Sequence, residues 1–393
     1  MSEILIRPNP AILPLEQLEL FAEVDGSAGS NRAETARPLI AANNDIEALK
    51  AWLARVSNSK PTFDSYRKEA ERLLLWAVTE LGKPISSLCH EDLLVYQRFL
   101  ENPQPASRWV MTKRKVGRAD KAWRPFAGPL SPASQRQAIV ILNSMFSWLV
   151  NAGYLAGNPL SLSRQRQRKS QPRITRFLDD ELWSEVKLTI ESMPRETERE
   201  CEHYHRVRWL FALFYLTGIR VSEVVINTMG SFFSRSDRQG EHKWWLEITG
   251  KGNKTRLVPA TQDLMVELER YRREVGLMPL PIEGERTPLL LPIGGKHRFL
   301  TRAAIHIILK QVFTSTAARL QHRADAGHQI NRLMAASAHW MRHTAGSNMA
   351  NGMDIRYVRD NLGHESINTT NVYLHTEEDQ RHEITEGAHK LNW

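Results

Sequence analysis

The chain has 393 residues, 41% hydrophobic and 25% charged, with a formal net charge of +9. That length exceeds one ordinary core and suits two domains, while two lone cysteines exclude a disulfide framework or a Cys-based zinc site. The longest apolar run that matters, Ala138 to Val150, is interrupted by Asn143, Ser144 and Ser147 and is too short to span a membrane. The N-terminus lacks the basic region, apolar stretch and small-residue cleavage site of a secretory signal, so a cytoplasmic location is expected.

Residues 1–43 are rich in Pro, Ala, Gly and Asn and mildly acidic, and read as a poorly ordered N-terminal extension. The pattern then turns helical. Phe63, Tyr66, Ala70, Leu73, Leu74 and Ala77 recur at intervals of three and four, which predicts one apolar face over 62–81, stopped by Gly82 and Pro84. A short helix is expected near His90 to Leu100, then a loop over 102–130. Ser131-Pro132 supplies a capping hydroxyl and a first-turn proline for the next helix, whose face is Ile139, Leu142, Met145, Phe146 and Leu149 and whose stop is Gly153. Residues 44–160 therefore read as a small all-helical domain.

Charge is concentrated in the second half of that domain and just beyond it. Residues 103–173 hold thirteen basic groups against one acid, Asp120. A block of that kind repels itself and calls for a polyanion, for which nucleic acid is the usual candidate. Lys113, Arg114, Lys115, Arg118, Lys121, Arg124 and Arg136 are the candidate contacts in the helical part. Trp109, Trp123 and Phe126, interleaved with them, argue against a purely solubilising surface. Residues 161–177 have no apolar periodicity and carry Arg164, Arg166, Arg168, Lys169 and Arg173, a basic linker able to lie along phosphates.

From 178 onward helices dominate again, starting at Leu178-Asp179-Asp180. The exception is "KWWLEITGKGNKTRLVPA", two β-rich runs around a Gly-Lys-Gly-Asn-Lys turn, which predicts a hairpin. The fold class is thus mainly α with a small β-hairpin or sheet in the second domain (α+β).

Four stretches of this second part carry chemistry-bearing residues. "LTGIRVSEVV" sets Arg220 after a Thr-Gly break, at the start of a helix bearing Glu223. "TGKGNKTRLVP" puts Lys251 on the turn, with Lys254 close by. "HWMRHT" places His339 and Arg342 three apart, on one helical face. "NLGHESINTTNVYLH" follows Gly363 with His364 and, nine residues on, Tyr373. Singly each has a plain structural reading: Arg220 could pair with Glu223, turn lysines are usually solvated, and His-x-x-Arg recurs at His203 to Arg206 and at His205 to Arg208. The ordered set weighs more than any one of them.

With "TGIRVSE", "GKGNKTRLVP", "HWMRHT" and "LGHESINTTNVYLH" in that order, the sequence resembles the tyrosine recombinases of the phage-integrase family, lambda-integrase-like and Xer-like. The resemblance implies an Arg-Lys-His-Arg-His-Tyr site at Arg220, Lys251, His339, Arg342, His364 and Tyr373, with no metal and no cofactor. It implies a helical core-DNA-binding (SAM-like) domain at 44–160 and a catalytic domain at 178–393, arranged as a two-domain clamp on double-stranded DNA. It further implies a homo-tetramer at specific recombination sites, a monomer or dimer off DNA, and possible accessory DNA-bending proteins. Trp340 and Met341 stand where that family usually has a leucine before the arginine.

The residue types suit the chemistry on their own terms. Metal-free cleavage of a phosphodiester needs a nucleophile, a proton source for the leaving oxygen, and cations around the charged transition state. A type IB topoisomerase-like enzyme and a catalytically silent DNA-binding regulator are the competing readings. A metal nuclease using His339, His343, His364 and His375 lacks the clustered carboxylates that Mg²⁺ prefers.

Overall fold

A computed structural model describes residues 12–34, 38–112, 116–162, 176–295, 297–323 and 325–370. The chain divides into two compact units, Met1–Arg168 and Lys169–Trp393.

The first unit is helical: α1 Asp45–Ala54, α2 Lys60–Trp76, α3 His90–Glu101, the short α4 Ala106–Trp109, and α5 Pro132–Asn151. Local chemistry sets the starts. The Asn44 side chain accepts the Glu47 amide at α1, and the Ser131 hydroxyl accepts the Ser134 amide at α5. Helix α2 continues through a wider turn at Ala77–Leu81 and stops at the left-handed Gly82.

Helix α2 departs from the one-faced reading. From Glu69 to Thr79 every residue is buried, so it runs through the middle of the unit. Its polar side chains are satisfied there: Arg72 pairs with Glu69 at 3.1 Å and donates to the Pro125 carbonyl at 2.9 Å, while Glu71 accepts the Leu15 amide at 2.6 Å.

That burial explains two corrections. Residues 12–34, read as part of a poorly ordered extension, pack on the helices: Leu15 and Leu18 enter the core, and the Asn31 side chain exchanges hydrogen bonds with Gly157 at 2.9 and 3.1 Å. The polar composition hides two leucines whose partners are distant in sequence. The loop 102–130 likewise folds inward. Trp109 and Phe126 are fully buried, their rings edge-to-face at 6.2 Å, and the Trp109 indole donates to Glu80 at 3.1 Å. Its aromatic residues are core and not a surface for nucleic acid.

The second unit holds α6 Asp180–Glu191, α7 Glu198–Thr217, α8 Val221–Val224, strands β1 Phe232–Ser236, β2 His242–Thr249 and β3 Thr255–Pro259, then α9 Gln262–Glu274, α10 Arg302–Leu320, α11 Gly327–Ala335, α12 Ala338–Gly352, α13 Ile355–Leu362 and α14 Ile367–Thr370. The strands form an antiparallel sheet in the order β1-β2-β3, with Phe232 opposite Leu246 and Leu246 opposite Val258. Phe232, Leu246, Ile248 and Val258 join the core to which α7 contributes Trp209, Leu210, Phe211, Leu213 and Phe214. The sheet has one strand more than the expected hairpin. In β1 only Phe232 is buried, so the alternation that marks a strand is missing. Among the described residues no helix is long and apolar enough to cross a membrane.

Candidate active site

The site begins where α7 ends. Gly218 stops that helix in the left-handed conformation (φ 61°), and a Cβ there would meet Leu362 Cδ2 at 2.5 Å, so glycine lets α7 and α13 meet end to end. Two residues on, Arg220 caps α8 with extended backbone, and Glu223 answers it: one carboxylate oxygen accepts the Arg220 amide at 2.8 Å, the other its Nη1 at 2.9 Å. The Arg220 side chain stays 40% exposed, its Nη2 lying 3.4 Å from the Gly363 carbonyl.

Glu223 is 1% exposed and shared. Arg256 of β3 forks onto both of its oxygens at 2.9 and 2.8 Å. Burial pushes this carboxyl up, but the hydrogen bonds and charge of Arg256, then the Arg220 amide and guanidinium, outweigh it and hold its pKa at about 2. It is a permanent anion between two cations.

Arg342, on α12, is only 3% exposed. Its two terminal nitrogens donate to the Gly218 and Leu362 carbonyls, tying the ends of α7 and α13 together. One turn earlier His339 is exposed on the same helix, its ring edge-to-face with His343 at 4.1 Å between centroids. His364 follows the left-handed Gly363 that ends α13; its amide donates to the Arg359 carbonyl at 3.1 Å and its Nδ1 lies 3.0 Å from the Thr370 hydroxyl.

The three imidazoles respond to one cluster of charge. Burial first, then Arg342, Arg176 and Arg220, lower the pKa of His339. Burial, then His339, Arg342, His364 and Arg176, take His343 down to about 4; burial, then Arg342, Arg220 and Arg256, do the same for His364. All three are neutral near pH 7, in a positive field suited to an anion. Among the described residues no three His, Cys, Asp or Glu side chains stand together as a metal-ligand set.

The turn that carries Lys251 lies beside this cluster. A Cβ on the preceding Gly250 would come within 3.0 Å of Glu223 Oε1, and the Gly250 amide donates to the Lys254 carbonyl at 2.8 Å. Lys254 forms an exposed ion pair with Glu365, just after His364. Trp340 and Met341, the two departures from the usual pattern, are buried and leave the chemical groups on either side in place.

The structure thus brings Arg220, His339, Arg342 and His364 together, with the Lys251 turn beside them. Tyr373 lies outside the described residues, as do Lys113, Arg114, Lys115, Arg164, Arg166, Arg168, Lys169 and Arg173. Of the remaining basic candidates, Lys121 and Arg136 are exposed, while Arg124 folds back onto the Lys121 and Trp123 carbonyls at 3.0 and 2.7 Å. Arg118, its side chain 31% exposed, is held in ion pairs with Glu16 and Glu71. The other His-x-x-Arg pairs lie on α7, where Arg206 donates to His203 at 2.9 Å and Arg208 forks onto Glu267 at 2.8 and 2.9 Å. Arg256, Arg176 and His343 belong to the cluster although their roles there were not assigned from sequence.

Comparison with known proteins finds similarity over the same part of the chain. The profile described as "Phage integrase family" matches residues 189–380. Tyrosine recombinase XerD of Rhizobium meliloti is 35% identical over 187 residues, 47% of this chain and about half (52%) of that protein's length. Tyrosine recombinase XerD of Shewanella oneidensis is 25% identical over 350 residues, 86% of this chain and 99% of that one. Among solved structures, the Tn1549 transposon integrase in complex with transposon right end DNA aligns over 87% of this chain and 98% of that chain with a TM-score of 0.57, at 17% identity, a likeness of fold. Motif order and these relatives agree, and residues 189–380 of the chain carry the phage integrase family domain.

Proposed function

We propose that this protein is a site-specific DNA recombinase that cuts and rejoins strands through a 3′-phosphotyrosine on Tyr373. The observation that carries the reading is the pair Arg220 and Arg342, one half-exposed and one buried, each fixed by carboxylate or carbonyl oxygens beside imidazoles that burial, and then arginine charge, keeps neutral. Two guanidinium forks suit the non-bridging oxygens of a scissile phosphate. The Tyr373 oxygen forms its bond to phosphorus, and the bond from phosphorus to the 5′ oxygen breaks. The tyrosine proton passes to His339, whose neutral ring can take it; the departing 5′ oxygen takes a proton from Lys251, leaving a free 5′-hydroxyl. His364 donates to the phosphate. Reversal with a new 5′-hydroxyl rejoins the strand without an external energy source.

On this reading residues 44–160 and 178–393 are the DNA-binding and catalytic domains of a clamp around duplex DNA, joined by the basic linker 161–177. Lys121, Arg136 and the linker cations hold the backbone, and four copies assemble on two sites in the cytoplasm, with accessory DNA-bending proteins as possible partners. A mobile genetic element is the natural setting for such an enzyme.

Two experiments bear on this. Covalent protein–DNA complexes recovered from genomic DNA in EDTA, then sequenced, should return adducts at one recurrent target. Cleavage lost in chelator and restored by Mg²⁺ would contradict the reading. The proton donor is tested separately. Lys251→Ala should be slower by on the order of 10² or more on ordinary DNA, yet nearly normal on a substrate whose 5′-bridging oxygen is replaced by sulfur, a leaving group that hardly needs protonation. Rescue of Lys254→Ala instead would move the role to Lys254.

A further inference from the structure

We propose that Arg256 is the positioning residue of this site: its one guanidinium holds in register the elements that carry Arg220, Lys251 and His364. The inference rests on the reading of the site given above. Arg256 stands on β3, the strand that leaves the Lys251 turn. Its terminal nitrogens fork onto Glu223 at 2.9 and 2.8 Å, and its Nε donates to the Asn361 carbonyl at the end of α13, at 2.9 Å. Its stem lies against the backbone that leads into His364, since a Cβ on Gly363 would meet Arg256 Cδ at 2.6 Å. Three elements far apart in sequence therefore meet on one planar group, a geometry that the point charge of lysine does not reproduce.

Charge gives this contact its consequence. Ionised Glu223 holds the Arg220 amide and guanidinium in place, and Arg256 is the second cation on the same carboxylate. Arg220 from the start of α8 and Arg256 from β3 face Glu223 directly, with Arg342 of α12 and His364 after α13 behind them. Removing Arg256 takes away the largest influence that opposes burial at Glu223, so the carboxyl of the variant rises from its value of about 2. As pH falls toward that raised value, Glu223 takes up a proton and loses its hold on Arg220.

The test uses the full-length chain carrying Arg256→Met or Arg256→Lys, with thermal unfolding, non-covalent DNA binding and single-turnover adduct formation followed across pH. For both variants DNA affinity should stay within about threefold while the cleavage rate falls about tenfold or more, a loss confined to the reacting complex. Arg256→Met should also gain a limb in which the rate falls as pH is lowered. That limb should be absent from Arg256→Lys, where a cation remains, and from Arg256→Met combined with Glu223→Gln, where nothing titrates. Cleavage by Arg256→Met within about threefold of the unaltered protein, or a loss of equal size at every pH, would overturn the proposal. Where Arg256→Met does not fold, Arg256→Lys decides alone: an unchanged rate overturns it, and a tenfold loss at unchanged affinity and unfolding temperature supports it. Absence of adducts from the unaltered protein would instead sink the reading of the function.

Discussion

Arg342→Ala will lower single-turnover cleavage by on the order of 10² or more, the scale set by removing one preorganised donor to a transition-state oxyanion. It will also destabilise the fold. Arg342 is 3% exposed and its guanidinium satisfies the Gly218 and Leu362 carbonyls, so alanine leaves two buried acceptors without their charged donor, at about 1.5–3 kcal/mol for each such hydrogen bond. Rate and stability must therefore be read apart, by measuring cleavage well below the variant's unfolding temperature at saturating DNA. Arg220→Ala separates the two effects. Its side chain is 40% exposed and its partner Glu223 keeps Arg256, so the rate should fall on the same scale with a smaller loss of stability. A change of only a few fold for folded Arg220→Ala would place the phosphate elsewhere.

What could be read from the sequence, and what could not, follows how far apart the partners lie. His339 and Arg342 are a turn apart on one helix, so spacing alone placed them together, and the break at Gly218 announced the end of α7. Arg256 sat unremarked in "KTRLVP", because its carboxylate is 33 residues away and no local pattern points to it. Arg118 is a parallel case. It read as one cation in a basic block, but its partners Glu71 and Glu16 lie 47 and 102 residues distant, and they hold it in ion pairs. Trp109 and Phe126 were legible as large aromatic residues but not as core, since α2, which they cover, is buried on the side that its polar residues seemed to leave to solvent. No alternation marks the strand β1 in the sequence, because four of its five residues are not buried.

Tyr373→Phe should abolish covalent adducts while leaving DNA binding nearly intact. The substitution removes one oxygen and little volume, and no other oxygen is in the proposed role, so the loss is of the reaction itself and not of a fraction of its rate. The arginines and histidines that would hold the phosphate lie at the start of α8, on α12 and just after α13, and the variant keeps all of them. Binding is measured by titration at fixed salt, because contacts to the DNA backbone are salt-dependent. Adducts persisting in Tyr373→Phe would remove Tyr373 from the mechanism, whatever the rest of the site does.

The central claim is that the Arg220–Arg342 cluster presents a DNA phosphate to Tyr373. It is tested most directly by trapping the adduct on a nicked target, digesting both the DNA and the protein, and locating the nucleotide remnant by peptide mass spectrometry. The account predicts a 3′-phosphate-linked remnant on Tyr373 and a free 5′-hydroxyl on the released strand. A remnant on any other residue, or a 5′-phosphate linkage, would contradict it.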